Sequence, residues 1–101
     1  MSGTVILKWG GGLITRKSNL CEANYGVIDS LSEICRRFDK NLVIIHGAGS
    51  FGHLKAKKYR LAEGDISGID QNTGVKEVRN DMLELNSIVV NSLQNHGLSV
   101  M

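Results

Sequence analysis

The chain has 101 residues, of which 42% are hydrophobic and 22% charged, and its net charge is +2. This composition is typical of a globular protein, and the length allows one domain. The small charge, without basic runs interleaved with aromatic residues, argues against a nucleic-acid partner. No stretch reaches the roughly 18 apolar residues of a membrane span, and the N-terminus lacks signal-peptide features. Cys21 and Cys35 match no metal-binding spacing, so we expect reduced thiols in a cytoplasmic protein.

The first half of the chain predicts two strands separated by a helix. The run "TVILKW" at 4–9 is rich in β-branched residues and ends in three glycines, which indicates a buried strand. Apolar residues from Val27 to Phe38 recur at helical spacing. A second apolar run, "NLVIIH" at 41–46, predicts a second strand that also ends in glycines.

The second half of the chain is predicted to be mainly helical. Residues 52–61 predict a helix, and the polar residues 62–74 predict a loop. A long helix follows from Val75 to Gly97, and "LSVM" begins a third strand. This order predicts a parallel sheet with helices packed on it. Because such a sheet needs cover on both faces and further strands, we expect residues 1–101 to form the N-terminal portion of a larger domain or half of a split protein.

Both predicted strands end in glycine-rich loops, "GGG" at 10–12 and "GAGSFG" at 47–52. Ligands bind at the carboxyl ends of parallel strands, so the two loops are expected to face one site. The spacing of Gly47, Gly49 and Gly52 matches a dinucleotide-binding pattern, but it follows the second strand, and no later strand ends in an acid. The loop also lacks the ending of a P-loop. An anion site built from backbone N–H groups and positive side chains remains.

Three positive side chains are candidates for this site, and each also has a structural alternative. His53 could donate a charge-assisted hydrogen bond to a phosphate, although a histidine at a helix start is often only a polar surface residue. Lys8 lies in an apolar strand, where an unpaired lysine would be costly to bury. Lys17 could be a solvated surface charge. His46 is expected to be structural, and Lys55 is expected on the solvated face of a helix.

Three segments resemble the N-terminal half of isopentenyl phosphate kinases, which belong to the amino acid kinase superfamily: "VILKWGGGLITRKS", "LVIIHGAGSFGHLKAKKY" and "GVKEVRNDMLELNSIVVNSLQNHGLSV". The most specific part is "GSFGH", because its histidine is typical of members that phosphorylate phosphates or phosphonates rather than carboxylates. The resemblance implies an α/β fold, a parallel-sheet αβα sandwich of the amino acid kinase type. It also implies ATP-dependent phosphorylation of isopentenyl phosphate to isopentenyl diphosphate in isoprenoid biosynthesis.

The resemblance also implies roles for individual residues. The catalytic side chains would be Lys8, Lys17 and His53. Contacts to the transferred ATP phosphate would come from Lys8, Gly10, Gly11 and Lys17. The acceptor phosphate would be bound by Gly47, Ala48, Gly52 and His53. Mg²⁺ would accompany ATP, and no residue of this chain is assigned as a metal ligand.

The chain departs from the family pattern at several points. Ala48 replaces a glycine, which is tolerable if its φ is negative. Trp9 is bulkier than the usual aliphatic residue and is expected to narrow the site, and Gly12 replaces the usual Ser or Thr. The nucleotide-binding C-terminal part of the family lies outside residues 1–101. We therefore expect no turnover from this chain alone, and we expect either a homodimer or a complementing C-terminal half.

Two other functions remain open at this point. A fosfomycin-kinase-like enzyme, acting on a small phosphonate, shares the glycine loop and the histidine. A non-catalytic phosphate-binding remnant would keep the fold without the chemistry. An apolar acceptor pocket along the helix at 75–93 would favour isopentenyl phosphate, and a polar one would favour a phosphonate. The apolar stripe that includes Met82 is first of all core, but it could also wall such a pocket.

Overall fold

The computed structural model describes residues 3–16, 18–38, 40–64 and 66–101. Two strands, β1 (Thr4–Trp9) and β2 (Asn41–His46), pair in parallel, with Thr4 opposite Asn41 and Trp9 opposite His46. The helices are α1 (Gly11–Ile14), α2 (Tyr25–Arg36), α3 (His53–Lys58) and α4 (Gln71–Asn95). Short 3₁₀ turns cover Gly49–Phe51 and Leu61–Glu63. Both predicted strands are confirmed at their predicted bounds.

The hydrophobic core lies between one face of the sheet and the helices α2 and α4. Burial alternates along both strands, as expected when one face of a sheet packs and the other does not. The sheet contributes Leu7, Trp9, Leu42 and Ile44 to this core. The helices contribute Ile28, Cys35, Leu85, Val89 and Leu93. The C-terminal part of the apolar stripe of the long helix is therefore core, as predicted, whereas Val75 at its start is 43% exposed.

Capping residues determine where the two long helices begin and end. The Asn24 side chain accepts a hydrogen bond from the Val27 N–H, and Asp70 accepts one from the Thr73 N–H at 3.1 Å. Hydrogen bonds from Thr73 also lower the pKa of Asp70. The Asp70 cap explains why α4 begins at Gln71, earlier than the predicted Val75. The helix ends before Gly97, whose φ of +85° is readily adopted by glycine.

The second face of the sheet is not covered by the described residues. Ile6 is 67% exposed and Ile45 52% exposed on this face, together with Val43 and Lys8. The radius of gyration is 15.7 Å, against about 13 Å for a compact chain of this length. The described residues therefore supply two strands and one helical layer of the αβα sandwich.

The predicted third strand is wrong for residues 98–101. These residues form no strand, although Leu98 and Val100 pack against the core. The turn at Gly97 directs the Leu98 N–H to the Leu93 carbonyl at 3.1 Å, and no described strand pairs with the segment beyond it. A strand exists only where neighbouring backbone provides hydrogen bonds, and local hydrophobicity does not report that.

The structure also bears on two expectations drawn from the composition, the state of the cysteines and the absence of a membrane span. Cys21 and Cys35 are both free thiols, as predicted. Among the described residues, no helix combines the length and apolar character that crossing a membrane requires.

Candidate functional site

The two glycine loops, residues 10–12 and residues 47–52, meet at one edge of the sheet. Because β1 and β2 are parallel, both loops leave the sheet at the same end. The Gly47 N–H donates to the Trp9 carbonyl at 3.0 Å. A Cβ on Gly47 would lie 2.7 Å from the Gly11 N, and a Cβ on Gly11 would overlap the Gly49 N. The loops therefore pack backbone against backbone at one edge of the sheet, as predicted.

The second glycine loop is shaped by three small residues. Ala48 has φ −89° and ψ −35°, so the replacement of the family glycine introduces no backbone strain. Its methyl group would lie 2.6 Å from a Cβ on Gly52, so Gly52 is required where Ala48 is present. The N–H groups of Gly47 and Gly52 donate to the carbonyls of Trp9 and Gly49. The chain's own atoms therefore fill the space beside both glycines, and their amide donors are already used, so the expected N–H contacts to an anion are not free at these two positions.

His53 is the exposed histidine of the chain and the first residue of α3. It directly follows the second glycine loop, where the sequence places it. The other two histidines are half-buried and hydrogen-bonded: His46 Nε2 lies 3.1 Å from Asn86 Oδ1, and His96 Nδ1 donates to the Ser92 carbonyl at 2.8 Å. His46 is thus structural, as predicted, and the His53 imidazole remains available to a ligand.

Two expectations about side chains on β1 change with the structure. The Lys8 side chain is exposed on the uncovered face of the sheet, opposite Ile45 in the strand register, so no burial cost applies to it. Trp9 is only 4% exposed and belongs to the core, so the expectation that it narrows the site is wrong. Strand alternation explains both results, because successive side chains point to opposite faces. Lys17 lies outside the described residues.

A polar cluster between α3 and α4 was missed at the sequence level. Lys55 Nζ lies 2.8 Å from Asp81 Oδ2, and their side chains are only 21% and 15% exposed. The prediction that Lys55 lies on a solvated face is therefore wrong. Burial, followed by a hydrogen bond to Asp81, raises the pKa of the Cys21 thiol to about 11. No local signal links these residues, because 26 positions separate the two charges along the chain.

An apolar side chain also borders the second glycine loop. Met82 Sδ lies 3.8 Å from the position of a Cβ on Gly52. Val75, two turns earlier on α4, is 43% exposed, and Leu54 beside His53 is also exposed. The helix thus presents apolar surface near the loop and a compensated ion pair between α3 and α4.

Asp81→Asn is expected to lower the pKa of Cys21, because it removes a charge that disfavours the thiolate. We expect alkylation of Cys21 by iodoacetamide at pH 8 to become about three- to tenfold faster. Rates measured against pH, with peptide mapping to separate the buried Cys35, check this. Glu84→Gln is the matched control, since Glu84 contributes the smallest of the charge effects on Cys21. A rate that rises without a lower titration midpoint would indicate altered exposure and contradict the prediction.

The described residues bring together no group of three or more His, Cys, Asp or Glu side chains that could hold a metal ion. Mg²⁺ in phosphoryl transfer is usually held by one or two carboxylates together with substrate phosphates and water.

The fold and the two glycine loops place this chain in a known class of proteins, the amino acid kinases. Residues 3–101 match the amino acid kinase family, and the chain is a member of that family. Among curated proteins, the chain is 30% identical to the isopentenyl phosphate kinase of Methanocaldococcus jannaschii, over 92% of this chain and 40% of that protein. It is 32% identical to the Thermoplasma acidophilum isopentenyl phosphate kinase, over 93% of this chain and 38% of that protein.

Solved structures lead to the same family. A Thermoplasma acidophilum isopentenyl phosphate kinase product complex superposes with a TM-score of 0.85 at 30% identity, over 95% of this chain and 40% of that one. An isopentenyl phosphate kinase substrate complex gives the same TM-score, over 97% of this chain. The α/β fold of the amino acid kinase type is therefore confirmed. The chain spans about 40% of the length of these relatives.

Proposed function

We propose that this chain carries the acceptor-phosphate site of an ATP-dependent isopentenyl phosphate kinase. The observation that carries the proposal is the junction of two glycine loops beside an exposed histidine, in a chain that resembles isopentenyl phosphate kinases over nearly its whole length. The reaction would transfer the γ-phosphoryl group of ATP to isopentenyl phosphate and form isopentenyl diphosphate. Its catalysis would rest on positioning and charge neutralisation.

His53 would supply the main attraction for the acceptor phosphate. A charge-assisted hydrogen bond contributes about 1.5–3 kcal/mol, whereas a helix dipole contributes about 0.3–1 kcal/mol. Gly47 and Gly52 would line the acceptor-phosphate loop, but their own N–H groups are already bonded within the chain and would not donate to the phosphate. Ala48 would contact the phosphate through its backbone. The side chain of His53 therefore matters more than any single glycine amide.

The donor side of the reaction would lie at the first glycine loop. Gly10 and Gly11 would line the path of the transferred phosphoryl group, and Lys8 and Lys17 would neutralise its charge. Mg²⁺ would enter with ATP. The adenine pocket would come from the nucleotide-binding part of the family, so we expect no phosphoryl transfer from this chain alone.

The surface around the second glycine loop favours an isoprenoid acceptor. Met82 borders Gly52, and Val75 and Leu54 are exposed apolar side chains. An apolar tail would bury this surface at about 25 cal/mol per Å². The Lys55–Asp81 pair on the same two helices is the one observation that favours the alternative, a polar phosphonate acceptor of the fosfomycin type. Its two charges compensate each other, so we rank isopentenyl phosphate first.

Calorimetric titration of the chain with three ligands tests the acceptor. We expect saturable binding of isopentenyl phosphate, at least about tenfold tighter than inorganic phosphate, because the apolar tail adds buried area. Fosfomycin is expected not to compete. Tighter binding of fosfomycin would favour the phosphonate kinase. A folded chain that binds inorganic phosphate and isopentenyl phosphate equally well would favour the non-catalytic phosphate-binding remnant, and one that binds none of the three ligands would contradict the proposed acceptor site.

We also propose a partner for the uncovered face of the sheet. Ile6, Val43 and Ile45 leave this face apolar, and the relatives are about two and a half times as long as this chain, since it spans 40% of them. A complementing C-terminal half would cover this face and bring the nucleotide site; a homodimer would cover it without bringing one.

A cytoplasmic location is consistent with the two free thiols.

A further inference from the structure

Two buried hydroxyl groups lie where the glycine loops meet. Thr15 is 2% exposed and Ser50 is 1% exposed, which is unusual for such polar residues. Thr15 Oγ1 lies 2.6 Å from the Gly11 carbonyl oxygen and 3.1 Å from the Ser50 nitrogen. One side chain thus touches the backbone of Gly11, four residues before it, and of Ser50, 35 residues after it.

The direction of each hydrogen bond follows from the groups involved. The Gly11 carbonyl can only accept, so the Thr15 hydroxyl donates its single proton to it. A lone pair of the same oxygen is then free to accept the Ser50 N–H. The Thr15 hydroxyl therefore donates a hydrogen bond to the first glycine loop and accepts one from the second.

Ser50 extends this connection to the segment that follows the first loop. The Cys21 N–H donates to the Ser50 carbonyl at 3.1 Å. Ser50 Oγ accepts from the Glu22 N–H at 3.3 Å and donates to the Glu22 carbonyl at 3.4 Å. A backbone bridge between Thr15 and Ala23 closes the same segment. The second glycine loop is therefore hydrogen-bonded through Ser50 to Thr15 on one side and to Cys21 and Glu22 on the other.

At Gly49 the second glycine loop lies directly against the Gly11 carbonyl and the Thr15 hydroxyl. A Cβ on Gly49 would overlap Thr15 Oγ1 and the Gly11 carbonyl, and Gly49 has a φ of +50°. The spacing between the loops must therefore come from backbone contact and from these hydrogen bonds. Since His53 follows Gly52 directly, that spacing also determines where the imidazole lies relative to Gly11.

We propose that Thr15, acting through the N–H of Ser50, is a positioning residue that holds the acceptor-phosphate loop against the first glycine loop. This inference rests on the proposed function, since it assigns His53 and its loop to phosphate binding. Thr15 itself would touch no ligand. Its hydroxyl would determine the orientation of Gly52 and His53 and thereby the affinity for a phosphorylated acceptor.

Thr15→Val tests the inference, because valine keeps the shape and removes both hydrogen bonds. We expect isopentenyl phosphate to bind the variant about tenfold more weakly by calorimetry, or about 1.4 kcal/mol. Thr15→Ser, which keeps the hydroxyl, is expected to restore affinity to within about twofold of the native value. Amide hydrogen exchange should accelerate at Ser50 in Thr15→Val and remain unchanged in β1.

Ser32→Ala serves as the matched control. Ser32 is fully buried and hydrogen-bonds Ser92 at 2.8 Å between α2 and α4, away from the loops. It should lower stability while leaving ligand affinity unchanged. If Thr15→Val and Ser32→Ala weaken binding equally, or if Thr15→Val binds as the native chain does, the positioning role is overturned. If the native chain itself binds no phosphorylated ligand, the proposed function fails instead.

Discussion

Gly49→Ala is expected to lower the free energy of unfolding by about 3 kcal/mol or more. Two costs combine at this position. A φ of +50° disfavours any residue with a Cβ, and the added methyl group would overlap Thr15 Oγ1 and the Gly11 carbonyl. Neither obstacle is the flexible end of a long side chain, so the two loops must separate. Urea unfolding followed by circular dichroism measures the loss.

Gly12→Ala provides the matched control for this prediction. Gly12 lies in the other glycine loop, but no atom outside its chain neighbours and its own helix lies within 4 Å of the position of its Cβ, and its φ is not positive. The substitution should change stability by no more than about 0.5 kcal/mol. Equal stability of both variants would show that the loops do not pack as described. Gly11→Ala is expected to resemble Gly49→Ala, because its Cβ would overlap the Gly49 backbone.

His53→Ala is expected to weaken the binding of isopentenyl phosphate by about 10- to 100-fold, because it removes a charge-assisted hydrogen bond of about 1.5–3 kcal/mol. Stability should hardly change, since the His53 side chain is exposed. Calorimetry with isopentenyl phosphate measures the affinity, and thermal unfolding measures the stability. The effect should also be present, though smaller, for inorganic phosphate.

His96→Gln tests whether the loss of affinity is specific to His53. His96 lies at the far end of α4 and donates to the Ser92 carbonyl, so its replacement should leave phosphate affinity unchanged. If both histidine variants weaken binding alike, the effect is not specific to the second glycine loop and His53 is not a ligand. If neither variant changes affinity, the acceptor phosphate binds elsewhere on the chain.

Features that depend on local pattern were predictable. Both strands have the predicted bounds, because a short apolar run between turn residues is a local property. The glycine loops follow these strands, and parallel pairing then brings them to one edge. His53 was correctly placed after the second loop for the same reason. The resemblance to isopentenyl phosphate kinases could also be detected in the sequence, since "GSFGH" is a contiguous motif.

Features that depend on distant neighbours were not predictable. The sequence shows that Lys8 and Trp9 are adjacent on a strand, but only packing decides that Trp9 faces the helices and Lys8 faces the uncovered side. The Lys55–Asp81 pair and the Thr15–Ser50 hydrogen bond join residues far apart in the chain, and no periodicity encodes such pairs. Residues 98–101 have a strand-like composition yet find no partner.

The sequence by itself determined the two strands, the two long helices and the two glycine loops, because each follows from the conformational preferences of consecutive residues. The tertiary structure decided which side chains face the site and how closely the loops approach each other. Those properties depend on contacts that exist only after β1, β2 and α4 have come together. The close packing of Gly11 against Gly49 and the buried hydroxyl of Thr15 are the contacts that fix the distance between the loops.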